Sequence, residues 1–163
     1  MAQALQIVSH WHHSVENLTA SSLDFYKEIE KALTAKKVDV RTERVTWREG
    51  GLFSNKREYL RVTYDRFVFD IGASPFGTDF FFSWWLGTYA SPLVSLPVIG
   101  FLYSRLAKPN TYYSEDTRVM FEETIHRVVL DIVSGILTLN KMTPLTPTER
   151  VSLKHKQLAS FSS

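Results

Sequence analysis

Two ionisable side chains in the C-terminal half of the chain have a spacing that could support chemistry. Glu122 and His126 stand four residues apart, which places them on one face of a predicted helix. A half-buried carboxylate there could raise the pKa of the histidine and make a general base or a pH switch. Asp70, on a predicted strand, is the third polar residue of this candidate site. Since such a pair is more often a satisfied structural contact, both interpretations stay open.

Histidines near the N-terminus are the candidate metal ligands. Period-two alternation would place His10 and His12 on one face of a strand, but the sequence positions no further ligand beside them. The chain has no cysteine, which excludes thiolate nucleophiles and Cys-based metal sites. It also lacks a Gly-x-Ser-x-Gly elbow and a glycine-rich phosphate loop. We therefore expect no catalytic residue, no cofactor and no metal, and the sequence gives little support for an enzyme.

Basic and aromatic side chains alternate on the second predicted strand. Arg57, Tyr59 and Arg61 share one side of it, and such interleaving is typical of surfaces that bind nucleic-acid backbones. Acidic residues interrupt this patch; they are Asp39, Glu43, Glu49 and Glu58. The net charge of +2 is also too small to indicate a nucleic-acid binder. We expect a solvated sheet face, with nucleic acid an unlikely partner.

The strongest feature of the sequence is a run of 25 residues without a formal charge, from Phe80 to Ser104. We divide it at Gly87. The aromatic residues before Gly87 favour a strand, and the residues after it favour a short apolar element that contains two prolines. A helix from Ser91 to Ser104 would cover only about 21 Å, which is too short to span a hydrocarbon core of about 30 Å.

The apolar segment at residues 84–107 is predicted to contact a membrane surface or a protein partner. Its contact residues would be Trp84, Trp85, Leu93, Val94, Leu96, Val98, Ile99, Phe101, Leu102, Tyr103, Arg105 and Lys108. The two cations at its exit suit anionic lipid head groups. Three interpretations remain open: a segment folded into the core or a homo-oligomer interface, a membrane-surface anchor, and the wall of a pocket for an apolar ligand.

Hydrophobic periodicity predicts the elements that would position these residues. A capping box beginning at Ser21 and a helical period predict a helix at about residues 15–36, with Ser14 or Ser22 as alternative caps. A second helix is predicted from about Glu115 to Leu139. Four strands are predicted between them, at residues 38–47, 58–64, 67–71 and 80–86. Residues 1–13 are ambiguous, with the alternation of a short strand. The apolar stripe of the second helix is predicted to contain Phe121, Ile125, Val128, Ile132, Ile136 and Leu139, and Val129 and Val133 are predicted to widen it.

The order N-terminal helix, four-stranded antiparallel meander and long C-terminal helix predicts an α+β fold, a two-layer sandwich with both helices on one sheet face. With 163 residues the chain fits one domain, which we place at residues 1–140, with an apolar appendage at about 88–107. Residues 141–163 are polar and basic, and are predicted to be a mostly loose tail. The N-terminus lacks the pattern of a secretory signal, so we expect a cytoplasmic protein, peripheral at the inner membrane if it meets lipid.

Three strings of the sequence resemble a family of uncharacterised bacterial proteins. They are Glu49-Gly50-Gly51 with Arg57-Glu58-Tyr59-Leu60-Arg61-Val62, Phe69-Asp70-Ile71 with Pro75-Phe76-Gly77, and Phe80-Phe81-Phe82-Ser83-Trp84-Trp85-Leu86. The resemblance covers roughly residues 14–150 and implies no particular activity. It implies that many members carry a longer apolar insert after the Trp-Trp string, long enough to span a membrane. This chain departs from them with a shorter segment that contains prolines.

The sequence thus predicts a non-enzymatic interaction or membrane-surface module that acts through residues 84–107. The alternative is an apolar small-molecule binding protein or enzyme with a cavity between the sheet and the C-terminal helix, lined by Asp70, Glu122 and His126. A third, weaker alternative is nucleic-acid binding through the arginine-bearing sheet face.

Overall fold

The computed structural model describes residues 5–48, 56–89 and 112–154. Its elements in chain order are β1 (Leu5–Val15), α1 (Ser22–Ala35), β2 (Arg41–Arg48), β3 (Lys56–Tyr64), β4 (Phe67–Phe76), β5 (Asp79–Tyr89), α2 (Tyr112–Leu139), a 3₁₀ turn (Thr148–Arg150) and β6 (Leu153–Lys154). The α+β class predicted from the sequence is confirmed.

One antiparallel sheet contains all of the described strands, in the order β2-β3-β4-β5-β1-β6. The predicted meander is present as β2 to β5, whose neighbours pair in sequence order. The predicted strand number is wrong, because β1 pairs with β5 and β6 pairs with β1. The predicted order is also wrong, since a strand and not a helix comes first.

The pattern of β1 explains why it was ambiguous in the sequence. The strand pairs with β5 from Leu5 to Val15, with a bulge between Ile7 and Ser9 that interrupts the alternation. Ser9 and Trp11 are both buried on the side of the helices, so a polar residue occupies a core position. A strand with a bulge and a buried serine does not show a clean period of two.

The two faces of the sheet differ in what covers them. Both helices pack on the face that carries Phe69, Phe82 and Trp84. The ring centroids of Phe25 and Phe82 are 5.0 Å apart, and those of Phe69 and Phe121 are 5.7 Å apart. The predicted two-layer arrangement is thus present. The opposite face, termed the far face, carries His10, Arg61, Asp70 and Trp85, and within the described residues no helix packs against it.

Helix α1 begins later than the sequence predicts. Ser21 is its N-cap, and the Ser21 Oγ accepts a hydrogen bond from the Asp24 backbone N–H at 3.2 Å. The chain before it belongs to β1 and to a turn at Asn17, whose φ is 57°. Phe25, Tyr26, Ile29 and Leu33 form its buried side. The capping-box spacing at Ser21 is confirmed, whereas the start near residue 15 and the alternative caps Ser14 and Ser22 are wrong.

Helix α2 is buried along a stripe that differs from the predicted one. Phe121, Ile125 and Val128 are buried as predicted, but Leu139 is 84% exposed. Val129 and Val133, predicted to widen the stripe, are buried, and Leu137 is buried where the sequence predicted Leu139. Leu139 is the last residue of the helix, and its side chain lies beyond the core.

Residues 145–154, termed the C-terminal strap, run back along α2 and cover the edge of β1. Leu145 is buried, and the Trp11 indole N–H donates to the Glu149 carbonyl oxygen at 2.6 Å. Two residues of the strap form β6, which pairs with Ser9 and His10 of β1. The predicted loose tail is therefore wrong for residues 141–154. Its polar composition concealed contacts made mostly by backbone carbonyls and by Lys154.

Candidate functional site

The chain leaves and re-enters the described structure at the same turn of the sheet. It leaves at Tyr89, whose backbone N–H donates to the Arg66 carbonyl oxygen at 3.2 Å. It re-enters at Tyr112, and the Arg66 guanidinium donates to the Ser114 hydroxyl two residues later. The 22 residues between, 90–111, are not described, but both of their attachment points meet at Arg66. We term this part of the molecule the Arg66 end.

Exposed aromatic and apolar side chains cluster at the Arg66 end. Tyr112 is 94% exposed and Tyr113 is 81% exposed, and Tyr64 and Met120 are also exposed. A surface groove of about 350 Å³ lies among them. It is lined by Val38, Asp39, Tyr64, Tyr113, Thr117, Met120, Phe121 and Thr124. Tyrosines of this kind, with an apolar ring and a polar tip, are enriched at protein interfaces and at membrane–water interfaces.

The predicted contact residues fall into two groups. Trp85 is 38% exposed and lies on the far face, where it stacks on His10 with ring centroids 4.6 Å apart. Trp84 is 0% exposed and belongs to the core, so its predicted role as a surface contact is wrong. The remaining ten lie outside the described residues; they are Leu93, Val94, Leu96, Val98, Ile99, Phe101, Leu102, Tyr103, Arg105 and Lys108.

Asp70 lies on the far face, away from both helices. Its carboxylate accepts two hydrogen bonds of 2.7 Å from the Arg61 guanidinium, a bidentate pair. The Arg61 guanidinium also lies over the Trp47 ring, 5.5 Å from its centroid. Because His126 lies on the opposite side of the sheet, Asp70 and His126 do not line one cavity. The predicted arrangement of Asp70, Glu122 and His126 around a common cavity is therefore wrong.

The Asp70 pair also changes the predicted arginine patch. Arg57, Tyr59 and Arg61 do share the far face, since each alternates with a residue on the helix side of β3. Arg61 is neutralised by Asp70, so the patch contains less free positive charge than the sequence suggested. This weakens the case for a nucleic-acid surface.

Glu122 is almost completely buried and is held by two cations. Its carboxylate accepts hydrogen bonds from Arg118 at 2.7 Å and from Lys154 at 2.5 Å. Burial alone would raise the pKa of Glu122, but the neighbouring Lys154 and Arg118 charges outweigh it, and the pKa lies below its usual value. Glu122 is therefore an ionised carboxylate that fastens the C-terminal strap to α2.

His126 is buried between the sheet and the strap. Its Nδ1 accepts a hydrogen bond from the Trp84 indole N–H at 3.0 Å, and its Nε2 lies 2.7 Å from the Arg150 carbonyl oxygen. Nε2 must carry the proton, because an indole N–H can only donate and a carbonyl can only accept. The sequence suggested that Glu122 could raise the pKa of His126. Burial has the larger effect, and the pKa of His126 lies below its usual value.

The histidines of β1 are arranged as stacked rings. His10 and His12 have centroids 5.7 Å apart and nearly parallel planes, and His12 also stacks on Phe81. Their common face agrees with the alternation predicted for a strand. Within residues 5–48, 56–89 and 112–154, no group of three or more His, Asp or Glu side chains is placed to hold a metal ion.

No protein-family model, no curated protein and no solved structure matches this chain. Neither of the two described helices is both long and apolar enough to cross a membrane.

Sequence reasoning missed the exposed tyrosines and the contacts that define the Arg66 end. Asp65 and Arg66 form the tight turn between β3 and β4, and Asp65 has a positive φ of 51°. What the sequence did not indicate is that this turn lies beside the start of α2. The signal available was the Tyr112-Tyr113 pair, two aromatic residues that precede the amphipathic part of the helix.

Proposed function

We propose that this protein is a non-enzymatic module that attaches to a membrane surface through its Arg66 end. The observation that carries the proposal is that residues 90–111 leave from Tyr89 and return at Tyr112, both fixed at Arg66. Both attachment points of this apolar segment therefore lie at a single end of the described domain. The segment can therefore meet a surface while the rest of the domain keeps its fold.

The sequence of the segment suits an anionic lipid surface. Residues 90–111 contain no acidic residue, and their only charged residues are Arg105 and Lys108. A cation near an anionic membrane contributes about 1 kcal/mol. The exposed rings of Tyr112 and Tyr113 lie where the segment joins the domain, as expected for side chains at the level of lipid head groups. On this proposal the protein acts at the cytoplasmic side of the inner membrane.

The buried polar groups support a non-enzymatic role. Glu122 is occupied by Arg118 and Lys154, and both ring nitrogens of His126 have protein partners. Asp70 is occupied by Arg61. A general acid or base must reach the proton that it transfers, and each of these groups is already bonded to other side chains or to a backbone carbonyl of the protein.

Flotation with lipid vesicles tests the proposal. The intact protein is expected to bind vesicles that contain 30% phosphatidylglycerol about thirtyfold more tightly than pure phosphatidylcholine, because two cations contribute about 1 kcal/mol each. The variant Tyr112→Ser/Tyr113→Ser is expected to bind anionic vesicles about tenfold more weakly, since it removes two exposed rings.

A double variant elsewhere on the surface provides the control. Leu23→Ser/Leu139→Ser also removes two exposed apolar side chains, and Leu139 lies about 40 Å from Tyr112 along α2. It is expected to float like the intact protein. Equal loss in the two double variants, or no flotation of the intact protein, would refute the membrane proposal. A dimer in ultracentrifugation that the tyrosine variant converts to a monomer would instead identify a second copy of the chain as the partner.

A further inference from the structure

The sheet divides at the end opposite Arg66. The β3–β4 ladder ends at the pair Tyr59↔Gly72. Beyond it, β3 continues only with β2 as far as Lys56, and β4 continues only with β5 as far as Phe76. The two central strands therefore separate and leave a gap between them, which we term the fork.

Tyr26 of α1 holds the fork open. Its hydroxyl donates a hydrogen bond to the Glu58 carbonyl oxygen at 2.8 Å and accepts one from the Ala73 backbone N–H at 3.0 Å. Burial raises the pKa of Tyr26 to about 12, so the hydroxyl stays protonated. A side-chain hydroxyl thus replaces the direct β3–β4 hydrogen bond and fixes the separation of the strands.

The fork contains a cleft of about 410 Å³, within the size range of small-ligand sites. Tyr59 and Phe81 supply apolar rings, and the Ser74 and Ser83 side chains supply hydroxyls. The Tyr59 ring lies flat over Gly72, where an added Cβ would stand 2.8 Å from the Tyr59 Cε1 atom. Glycine at this position therefore allows a ring to lie against the sheet.

Two cations stand at the rim of the cleft. Lys56 and Arg57 both line it and are exposed. Among the described residues neither has an ion-pair partner. Glu58 also lines the cleft, and its carboxylate pairs with Arg44 on the helix side at 3.6 Å. The cleft thus combines apolar walls, hydroxyl groups and a net positive rim.

We propose that the fork cleft binds a small planar anion, an aromatic carboxylate. Its ring would lie against Tyr59 and Phe81, and its carboxylate would accept hydrogen bonds from Arg57, with Lys56 nearby. The planar guanidinium suits a bidentate contact with a carboxylate, and aromatic rings pack well on a flat apolar wall. The proposal is independent of membrane attachment, because Gly72 lies about 17 Å along β4 from Phe67 at the Arg66 end.

A titration followed by ¹H–¹⁵N correlation spectra tests the proposal, with 2-naphthoate as the probe and neutral 2-naphthamide as its uncharged counterpart. Naphthoate is expected to shift the amide signals of Gly72 and Ser83. Naphthamide is expected to shift them at least tenfold less at equal concentration. Arg57→Gln should weaken naphthoate binding about ten- to a hundredfold, because it removes a charge-assisted contact.

Arg41→Gln is the matched control. Arg41 is also an exposed arginine on the far face of the sheet, but it pairs with Thr63 toward the Arg66 end. It should leave the titration unchanged. Several results would overturn the proposal: equal shifts with naphthamide, equal loss in the two arginine variants, shifts confined to Tyr113 and Met120, or no shift at millimolar naphthoate.

Discussion

The two ends of strand β4 present different surfaces to a partner. At the Arg66 end the ladders with β3 and β5 continue to the turn, and exposed tyrosines surround the place where residues 90–111 are attached. At the fork the strands separate around the Tyr26 hydroxyl, and two cations stand beside a cleft. A closed end with exposed rings suits an extended surface, whereas an open end with a cleft suits a small molecule. We therefore propose a different kind of partner for each end of the sheet.

The largest expected effect comes from the core that supports both ends. Trp84→Ala should destabilise the protein by about 3–5 kcal/mol, because Trp84 is completely buried and packs on Phe69 with centroids 4.5 Å apart. Trp85→Ala, one residue along, should cost about 1–2 kcal/mol, since Trp85 is partly exposed on the far face. Urea denaturation measures both. Equal losses would contradict the assignment of the two tryptophans to different faces.

The same substitution, tyrosine to phenylalanine, should change the free energy of unfolding by different amounts at the two ends. Tyr26→Phe at the fork should cost about 1–3 kcal/mol, because it leaves the Glu58 carbonyl and the Ala73 N–H without their buried partner. Tyr64→Phe at the Arg66 end should change the free energy of unfolding by less than about 0.5 kcal/mol, since that ring is exposed. If the two variants lose the same stability, the hydroxyl does not hold the fork.

Acid is expected to lower the free energy of unfolding by a smaller amount, through His126, which contacts the C-terminal strap. The pKa of His126 lies below its usual 6.5 because of burial, so the unfolded chain binds a proton more readily than the folded one. Stability should therefore fall as the pH drops below about 6.5. Protonation at Nδ1 would also remove the acceptor of the Trp84 indole N–H, because both groups would then be donors. Glu122, Glu123 and Lys154 are the charged groups that influence His126.

His126→Gln separates this effect from other titrations. A glutamine can accept from Trp84 and donate to Arg150 without titrating. Its stability should depend less on pH between 5 and 6.5 than that of the unaltered protein, as followed by thermal unfolding. Glu122 also has a lowered pKa, and its contribution is lost at lower pH. An unchanged pH dependence would show that His126 is not the group responsible.

Hydrophobic periodicity predicted the strands of the meander and the long helix. Strand β3 alternates between buried and more exposed residues, β4 is buried from Phe67 to Ala73, and α2 has a recognisable apolar side. The sequence was misleading where a bulge, a buried polar residue or a contact with a distant segment changes which residues are buried. The bulge and the buried Ser9 hid β1, and the polar composition of the strap hid its contacts with Glu122, His126 and Trp11.

The candidate site was harder to predict for the same physical reason. Trp84 and Trp85 look alike in sequence, yet adjacent strand residues point to opposite faces. Asp70 and His126 are both buried ionisable residues, but the sheet lies between them. The meeting of Tyr89, Arg66 and Ser114 joins three distant parts of the chain, and no local pattern records such a contact.

Replacement of residues 90–111 by a six-residue Gly/Ser linker tests the central claim most directly. Because Tyr89 and the start of α2 both lie at Arg66, a short linker should join them without unfolding the domain. The account predicts a thermal unfolding midpoint close to that of the intact protein and complete loss of flotation with anionic vesicles. A folded linker variant that floats as well as the intact protein would contradict it.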